Sequence, residues 1–402
     1  MLKHAMMKTI NRKMTGFQVL AATLMVVSAM STSAVFAQSI NAGLREAVAE
    51  NPFNIREVTA FNTPWAIAVL PDQRLLVTEK AGHIFVVDQA GVKTEISNVP
   101  AVAFEGQNGL LDIAVSPDFL SDHLVYFTYA EPERSGTDIL SSLVLARAKL
   151  VEGNGKVTLD EQKVLWRQLP KSKWGQPGGI IAFSPDSQYM FLTSGDRMRP
   201  ETAQQPELAL GKVLRFNRDG SVPQDNPQAA MEGQDADNAR ALTWTTGHRN
   251  PYGLAFAPDG KLWLHEMGPK GGDELNLIRQ GLNYGWPVVS NGDQYSGEPI
   301  ARHDTRPEFE PPVIYWTPVI APAGLAFYQG EQFKDWNGSA LIGGLASMAL
   351  IRIAFNADGT ADEAERYDMG NRIRDVAVND AGAVYVIEDD IPGRLLELTA
   401  KK

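Results

Sequence analysis

A pair of short apolar strands joined by a polar turn recurs along the chain. Each copy is an alternating apolar strand, a turn with Pro-Asp or a similar pair, and a second apolar strand. The six copies lie at residues 65–78, 109–128, 179–193, 253–265, 324–343 and 373–387. Pro and Asp are typical of tight hairpin turns, so we interpret these pairs as marks of the fold and not of a functional site.

The spacing of the copies predicts an all-β protein. Six copies leave roughly 50 to 60 residues each, which is enough for a four-stranded sheet with its loops. Further strands are predicted at residues 83–87, 143–149, 212–217, 350–355 and 394–398. Radial repetition of such sheets hides their strand edges between neighbours. We therefore predict a six-bladed β-propeller over residues 51–402, with residues 198–245 as a long loop over one face.

The first 37 residues have the pattern of a secretory signal peptide. The basic residues of this segment are Lys3, Lys8, Arg12 and Lys13. An apolar run follows at residues 17–30, and the small-residue sequence AVFA ends at Ala37, after which we predict cleavage. An uncleaved membrane anchor is the alternative, and no later segment approaches a membrane-spanning length. Residues 38–50 are predicted to be a short helical or loose leader.

Charge and cysteine content exclude several classes of function. The sequence has 48 acidic and 37 basic side chains and no cysteine. Without the signal peptide the net charge is about −15, which argues against a nucleic-acid partner because phosphate binding needs clustered Lys and Arg. The absence of cysteine excludes disulfides, iron–sulfur clusters and thiolate metal sites. We predict a periplasmic or secreted protein.

Residues 247–287 hold the densest group of chemically useful side chains. They include an Arg-Asn pair, two Gly-rich turns, an Asp-Glu pair, and a Tyr and a Trp beside glycines. Residues 253–256 and 262–264 are predicted strands, so these polar side chains lie at strand ends. A rigid sheet holds binding and catalytic groups at such positions. We therefore predict that part of the functional site lies here.

Several motifs in this stretch and beyond it resemble one family. GHRNPYGLAF, HEMGPKGGDELN, GLNYGWP, APAGLAFY and NRIRDV are similar to sequences of the soluble pyrroloquinoline-quinone (PQQ)-dependent glucose/sorbosone and aldose sugar dehydrogenases, from about residue 55 to residue 398. The resemblance implies a six-bladed propeller with PQQ and Ca²⁺ in a cleft on one face. It also implies that sugar C1 gives a hydride to the quinone while a histidine takes the hydroxyl proton, and that an electron acceptor completes the reaction.

The resemblance implies which side chains hold the cofactor. They are Gln107, Arg249, Asn250, Arg372 and Arg374, with Asp375 orienting one of the last two. Arginine forks suit the carboxylates of an anionic cofactor. For any single Arg, the alternative is a solvated surface ion pair.

Metal and sugar contacts are implied in the same way. The metal ligands would be the carbonyls of Gly268 and Pro269 at an active-site Ca²⁺, and Glu274 and the Tyr284 carbonyl at a second, structural Ca²⁺. Oxygen ligands suit Ca²⁺. Tyr315 and Trp316 are candidates to stack on a sugar or to pack between blades. His248 and His265 are expected to hydrogen-bond within the scaffold.

One part of the family pattern is missing from this chain. Where the family has His-x-Gly-Gly-Arg, residues 176–180 read QPGGI, so Gln176 stands at the position of the catalytic His and Ile180 at that of the Arg. An amide cannot accept a proton at physiological pH, although it can hydrogen-bond a hydroxyl. Tyr252, Met267 and Ala346 also replace a Gln, a His and a cofactor-binding Lys of the family.

Two functions are compatible with these residues. In the first, the protein oxidises aldoses and another group, such as Glu105 or Asp112, takes the proton. In the second, it binds the cofactor or a sugar without turnover, because loss of a positioned base lowers rates by about 10²–10⁴-fold. Six-bladed propellers also serve as lactonases and interaction platforms, but the spacing identifies no ring of carboxylate and Asn ligands for a lactonase metal.

Overall fold

The computed structural model describes residues 39–173, 175–356 and 360–401. The predicted signal peptide, residues 1–37, therefore lies outside the described residues. Within the described ranges, no helix is both long enough and apolar enough to cross a membrane.

Nearly all regular structure in these residues is β-strand, which confirms the all-β prediction. The first strands are β1 (Ile40–Asn41), β2 (Phe53–Phe61), β3 (Pro64–Val69), β4 (Leu75–Glu79), β5 (His83–Val87), β6 (Lys93–Ser97), β7 (Leu110–Val115), β8 (Leu124–Ser135), β9 (Asp138–Gly153) and β10 (Lys156–Arg167). The next are β11 (Gly178–Phe183), β12 (Tyr189–Ser194), β13 (Lys212–Asn217), β14 (Thr243–Thr246), β15 (Pro251–Phe256), β16 (Leu262–Glu266), β17 (Lys270–Gly271), β18 (Asp273–Ile278), β19 (Gly292–Asp293) and β20 (Ile314–Trp316). The last are β21 (Pro322–Phe327), β22 (Ala340–Gly344), β23 (Ala349–Phe355), β24 (Ala361–Asp368), β25 (Ile373–Val378), β26 (Val384–Glu388) and β27 (Gly393–Ala400). The helical segments are α1 (Phe119–Asp122), α2 (Ala239–Leu242) and the 3-10 turns Pro200–Gln204, Ala229–Met231, His303–Thr305 and Lys334–Trp336.

Antiparallel pairing groups most of these strands in fours. β3–β6, β7–β10, β11–β14 and β21–β24 each form one group in chain order. β15, β16, β18 and β20 form another, and β25–β27 are completed by β2. A two-residue parallel pairing of β6 with β10 joins the first two groups into one eight-stranded sheet. The six repeat copies in the sequence correspond to the first two strands of the six groups.

The first strands of the six groups contact one another in a closed ring. β3 contacts β7, β7 contacts β11, β11 contacts β15, β15 contacts β21, β21 contacts β25, and β25 contacts β3. An axial cavity of about 160 Å³ lies among these strands, and Asp112, Tyr252, Arg374 and Asp375 are in its wall. Because β2 pairs with β27, closure of the ring depends on strands that are far apart in the sequence.

Three buried threonines hydrogen-bond one group to the next. Each lies in the second strand of its group, accepts from an N–H of the first strand, and donates to a carbonyl of the next group. The contacts are Thr78 with Ala66 N (3.0 Å) and Leu111 O (2.8 Å), Thr128 with Asp112 N (3.1 Å) and Gly179 O (2.6 Å), and Thr193 with Ile180 N (2.9 Å) and Pro251 O (3.1 Å). In the fourth group, His265 Nε2 donates to Gly324 O (2.8 Å), and burial lowers the pKa of His265 to about 4. His265 is therefore a neutral scaffold residue.

The substitution Thr128→Val is expected to lower the free energy of unfolding by about 1–3 kcal/mol, because buried polar groups lose their partners. Valine keeps the shape of the side chain but leaves the Asp112 amide without an acceptor and the Gly179 carbonyl without a donor. Urea denaturation measures the change. Thr137→Val, at the exposed turn between β8 and β9, is the control and should change stability by about 0.5 kcal/mol or less. Equal effects of the two substitutions would contradict the role of the buried hydroxyl.

Two regions differ from the sequence prediction. Residues 39–50 contain no helix, and part of this leader is fixed: β1 pairs in parallel with β20, and Asn41 bonds both Thr317 O (3.1 Å) and Thr317 N (3.0 Å) through its side chain. Residues 198–245 are not one loop, because α2 lies within them together with β13, which has the bounds predicted for a strand at residues 212–217. The polar residues of this stretch form the turns around these elements, and of the two only α2 was not predicted.

Candidate functional site

Strand pairing collects most of the candidate residues at one edge of the ring. In each antiparallel pair, the start of the first strand lies beside the end of the second, as in the pairing of Pro251 with Glu266. Residues before a first strand and residues after a second strand therefore share this edge. Gln107, Gln176, Arg249 and Arg372 precede first strands, and Gly268 follows a second strand. Because the first strands form a ring, the six edges meet around its axis.

Gln176 lies between a carboxylate and a guanidinium. In the amide orientation that satisfies both neighbours, its Nε2 donates to Asp196 Oδ1 (2.6 Å) and its Oε1 accepts from Arg249 Nη2 (2.9 Å). The backbone N–H of Gln176 donates to Gln107 Oε1 (2.6 Å). The structure therefore brings Gln107, Gln176 and Arg249 into direct contact, and Gln176 itself is buried.

Asp196 completes this group and is fully buried. Its Oδ2 accepts from Trp286 Nε1 (2.8 Å), and its Oδ1 also accepts from Met198 N (2.8 Å). Burial raises the pKa of Asp196 to about 6, while the Trp286 hydrogen bond and the charge of Arg249 limit the rise. Near pH 7 and above, the Gln176 amide therefore rests on a carboxylate that is mostly ionised.

Arg249 holds the segment that follows β16. Its Nη1 donates to Met267 O and Gly268 O, both at 3.0 Å, and its Nη2 lies 3.3 Å from the Tyr295 hydroxyl. The guanidinium lies 5.4 Å from the centre of the Trp286 ring. Among the described residues, all the side-chain hydrogen-bond partners of this buried guanidinium are neutral. A buried cation with neutral partners is a favourable place for an anionic ligand.

Two neighbours of Arg249 have different roles. His248 is a scaffold residue, because its Nδ1 donates to Glu266 Oε1 (2.8 Å) and Glu266 Oε2 accepts from Arg249 N (2.6 Å). Asn250 is also buried, and its Nδ2 lies 3.8 Å from the Met267 sulfur. Within the described part of the chain, the Asn250 Oδ1 accepts no hydrogen bond of ordinary geometry. The Tyr252 hydroxyl lies beside the Asn250 side chain. This acceptor is suited to a ligand that donates a hydrogen bond.

The two arginines of NRIRDV share one carboxylate, Asp389. Arg372 donates to its Oδ2 from Nε (2.8 Å) and Nη2 (2.6 Å), and Arg374 donates to its Oδ1 from Nε (3.1 Å) and Nη2 (2.8 Å). Burial alone would raise the pKa of Asp389, but the two arginines lower it below its usual value. The prediction that Asp375 orients one of these arginines is wrong, because its carboxylate accepts two backbone N–H groups beside the axial cavity.

Trp65 and Lys80 connect these arginines to the Gln176 group. The Arg374 guanidinium lies 4.3 Å from the centre of the Trp65 ring, and Lys80 Nζ lies 5.5 Å from the same ring. Lys80 Nζ donates to Gly106 O (2.5 Å), one residue before Gln107. The members of this contact arc are Arg372, Asp389, Arg374, Trp65, Lys80, Gln107, Gln176, Asp196 and Arg249.

The metal ligands implied by the sequence come together only in part. Gly268, Glu274 and Tyr284 line one cavity of about 10 Å³ with Glu266, and Pro269 is outside its lining. This volume suits about one water or ion, and carboxylate and carbonyl oxygens are the donors that Ca²⁺ prefers. Within the described ranges, no three His, Cys, Asp or Glu side chains are grouped to hold a metal. Backbone carbonyls would therefore supply most ligands, and the Gly268 carbonyl would have to be shared with Arg249.

The aromatic residues predicted to contact sugar lie away from the inner edge of the ring. Tyr315 and Trp316 are in β20, the fourth strand of its group from the axis. Trp316 is fully buried, and its Nε1 donates to Glu363 Oε2 (2.7 Å), which corresponds to the packing role. Tyr295, in contrast, is 71% exposed beside Arg249. Tyr295 is therefore better placed than Trp316 to stack on a sugar.

Neither of the two carboxylates considered as proton acceptors is bonded to Gln176. Asp112 lines the axial cavity, where it accepts from Ile181 N (2.7 Å) in the next group. Glu105 is exposed in the turn before Gln107. Asp196 is the carboxylate that contacts Gln176.

The axial carboxylates Asp112 and Asp375 are expected to make stability depend on pH. Burial raises the pKa of Asp375 to about 8, and the charge of Asp112, whose own pKa burial raises to about 6, adds to the rise. A raised carboxyl pKa contributes stability that is full below the pKa of the unfolded chain, about 4, and is lost as the pH rises through the folded value. The stability of the protein relative to that of Asp375→Asn should therefore fall between pH 5 and pH 9 in urea denaturation. The same comparison with the exposed Asp380→Asn should show no such fall, and a constant difference for Asp375→Asn would refute the expectation.

Lys80, Asp196 and Asp389 were not singled out in the sequence. Each follows the second strand of its group, namely β4, β12 and β26. Residues 247–287 were selected because polar residues at strand ends often form sites. The same criterion, applied to every copy of the repeat, identifies Lys80, Asp196 and Asp389.

The chain is similar to known sugar dehydrogenases. The family model for glucose/sorbosone dehydrogenase matches residues 61–397. Aldose sugar dehydrogenase YliI of Escherichia coli (strain K12) is 35% identical over 345 residues, which cover 84% of this chain and 90% of that protein. A crystal structure of a glucose dehydrogenase has a TM-score of 0.80 at 38% identity, covering 87% of this chain and 100% of the other. The PQQ-bound form of an aldose sugar dehydrogenase from Streptomyces coelicolor has a TM-score of 0.67 at 28% identity, covering 89% and 100% of the two chains.

Proposed function

Because the chain belongs to the glucose/sorbosone dehydrogenase family, we propose that it is a PQQ-dependent dehydrogenase that oxidises aldoses at C1 and passes the electrons to a separate acceptor. The observation that carries this proposal is the contact arc, which joins residues of five of the six strand groups at one edge of the ring. The similarity to a PQQ-bound aldose sugar dehydrogenase also supports it.

The side chains of the arc fit an anionic quinone. The Arg249 guanidinium has only neutral side-chain hydrogen-bond partners, with Asp196 on the far side of Gln176. Arg372 and Arg374 share a single carboxylate, so their region carries excess positive charge. Guanidinium groups bind carboxylates through paired hydrogen bonds. The open acceptor of Asn250 and the amide of Gln107 add neutral contacts.

The residues around Gln176 determine how fast such an enzyme works. When bound, PQQ would accept the hydride from sugar C1, and Ca²⁺ would polarise the accepting carbonyl. Gln176 can orient a sugar hydroxyl but cannot take its proton. Its amide also separates the buried Asp196 carboxylate from Arg249. We therefore propose a dehydrogenase with slow turnover.

The same proposal includes the architecture and the location of the protein. Six four-stranded groups, a closed ring of first strands and completion of the last group by β2 support a six-bladed β-propeller. The basic start, the apolar run and the AVFA sequence of residues 1–37 support export to the periplasm or the medium. The absence of cysteine agrees with a fold that does not depend on disulfides.

A second candidate function is cofactor or sugar binding without turnover, and Gln176 in place of a base is the observation that favours it. Titration of the purified, calcium-loaded protein with PQQ, followed by aldoses and an artificial electron acceptor, separates the two. We expect saturable binding of PQQ and slow, sugar-dependent reduction of the acceptor. Binding without reduction would reject the dehydrogenase and support the binding protein, whereas absence of PQQ binding would reject the proposed cofactor.

A further inference from the structure

Lys80 places an additional cation in the contact arc. It directly follows β4, and its Nζ donates to Gly106 O (2.5 Å). The ammonium lies 5.5 Å from the centre of the Trp65 ring and 5.7 Å from that of Phe104. Arg374 lies over the same Trp65 ring, so two cations converge on one indole.

The positive charge of Lys80 has no carboxylate partner of its own. No Asp or Glu in the described part of the chain forms an ion pair with it, and Asp389 is bonded to Arg372 and Arg374. Burial and the charge of Arg374 both lower the pKa of Lys80. The three cations Lys80, Arg372 and Arg374 therefore lie near one carboxylate, that of Asp389. Together these four side chains carry two positive charges in excess. Partly burying an ammonium beside other cations is unfavourable unless an anion offsets the repulsion.

We infer that Lys80 is a cofactor-binding residue whose ammonium contacts a carboxylate of the quinone alongside Arg374. This assignment rests on the proposed function, because PQQ is the anion that we propose to bind at the contact arc. A carboxylate here would neutralise part of the excess charge and give the ammonium a charge-assisted hydrogen bond, which is stronger than its present bond to a carbonyl. Trp65 would then form an apolar wall beside the charged contacts.

A purely structural role for Lys80 makes different predictions. The bond to Gly106 O also ties down the turn that presents Gln107, and a neutral donor could keep that tie. Lys80→Gln removes the charge and retains an N–H donor, whereas Lys80→Arg retains the charge. The two variants therefore separate a tether from an ion contact.

The test is a titration of the protein with PQQ at low and high salt, in which quenching of tryptophan fluorescence measures binding. We expect Lys80→Gln to weaken PQQ binding about 10-fold or more at low salt, since a charge-assisted hydrogen bond is lost, and to reduce the salt dependence of binding. Lys80→Arg should bind within about threefold of the unmodified protein, since the charge is kept. Lys93→Gln is the matched control: Lys93 also lies over two aromatic rings, at 4.6 Å and 5.4 Å, and donates to a carbonyl, Ala60 O (2.6 Å), but it is in the outer strand β6.

The outcomes distinguish this assignment from the proposed function. If the unmodified protein and Lys80→Gln bind PQQ equally well, Lys80 is a tether and the assignment is wrong while the proposed function stands. If the unmodified protein does not bind PQQ, the proposed function fails and the assignment fails with it. Thermal melting checks that the variants are folded, and Lys80→Met is the second uncharged variant if Lys80→Gln does not fold.

Discussion

Replacement of Gln176 by histidine is expected to raise kcat/KM for aldose oxidation by about 10²–10⁴-fold, the usual value of a positioned general base. The structure already contains the support that an imidazole at this position needs. Asp196 Oδ1, which now accepts from the Gln176 amide at 2.6 Å, would accept the N–H of one ring nitrogen. The other ring nitrogen would then be unprotonated and available to a sugar hydroxyl.

The local backbone permits this substitution. Gln176 has φ of 57°, in the left-handed region that histidine adopts more readily than most residues. Because the pKa of Asp196 is raised to about 6, the gain should be larger at pH 8 than at pH 5, where the carboxyl is mostly protonated. Steady-state kinetics of calcium- and PQQ-loaded protein with an artificial acceptor measure both effects. Gln168→His, at another buried glutamine that bonds Ser194 Oγ (2.6 Å), is the control and should not gain activity.

The double variant Gln176→His, Ile180→Arg restores both residues of the family motif. It also tests whether an arginine at position 180 contributes to the rate. Ile180 lines the axial cavity together with Asp112 and Asp375, so an arginine there would meet two carboxylates. We expect the arginine to add less than the histidine does, because Ile180 lines the axial cavity and its N–H donates to Thr193 and not to Gln176. If PQQ binds and neither variant gains activity, the missing base is not what limits the rate.

Substitution of Arg249 by methionine is expected to lower kcat/KM by about 100-fold or more and to weaken PQQ binding. Methionine removes the charge that an anionic cofactor would meet, and a charge-assisted contact is the strongest of those available here. It also removes the donor to Met267 O, Gly268 O and Gln176 Oε1. The segment after β16 and the Gln176 side chain would therefore lose a shared anchor.

Arg215→Met is the matched control for Arg249→Met. Arg215 is also buried and lies over aromatic rings, 3.7 Å from the centre of Tyr189 and 4.8 Å from that of Trp244, but it is in the third strand of its group. We expect Arg215→Met to lower the melting temperature and to leave PQQ affinity and kcat/KM per folded molecule unchanged. A similar loss of PQQ affinity in both variants would show that Arg249 acts through stability and not through contact with the cofactor.

Local patterns in the sequence predicted most of the strand structure. Alternation of apolar residues with Pro-Asp turns identifies a hairpin, and hairpins form from residues that are close in the chain. The pairing of β1 with β20 and of β2 with β27 was not predictable in this way, because the partners are hundreds of residues apart. The sequence therefore predicts only a short helical or loose leader for residues 38–50, although Ile40 and Asn41 extend a sheet.

The site was predictable only where motifs or strand ends marked it. Arg249, Arg372 and Arg374 stand in recognisable motifs, and the structure places them in one arc. The partner of the last two, Asp389, had no such mark, and Asp375 was chosen because it is adjacent in sequence. Trp316 could not be placed because an aromatic residue serves packing and sugar binding equally well, and only its full burial decides between them.

Pairing of β2 with β27 also sets the order in which the molecule can be completed. β27 is the last of the described strands to be synthesised, and β2 is one of the first. β2 therefore has no partner in the sixth group until β27 has been synthesised, after all the other described strands. Contacts between such distant segments form slowly, so the circle stays open late.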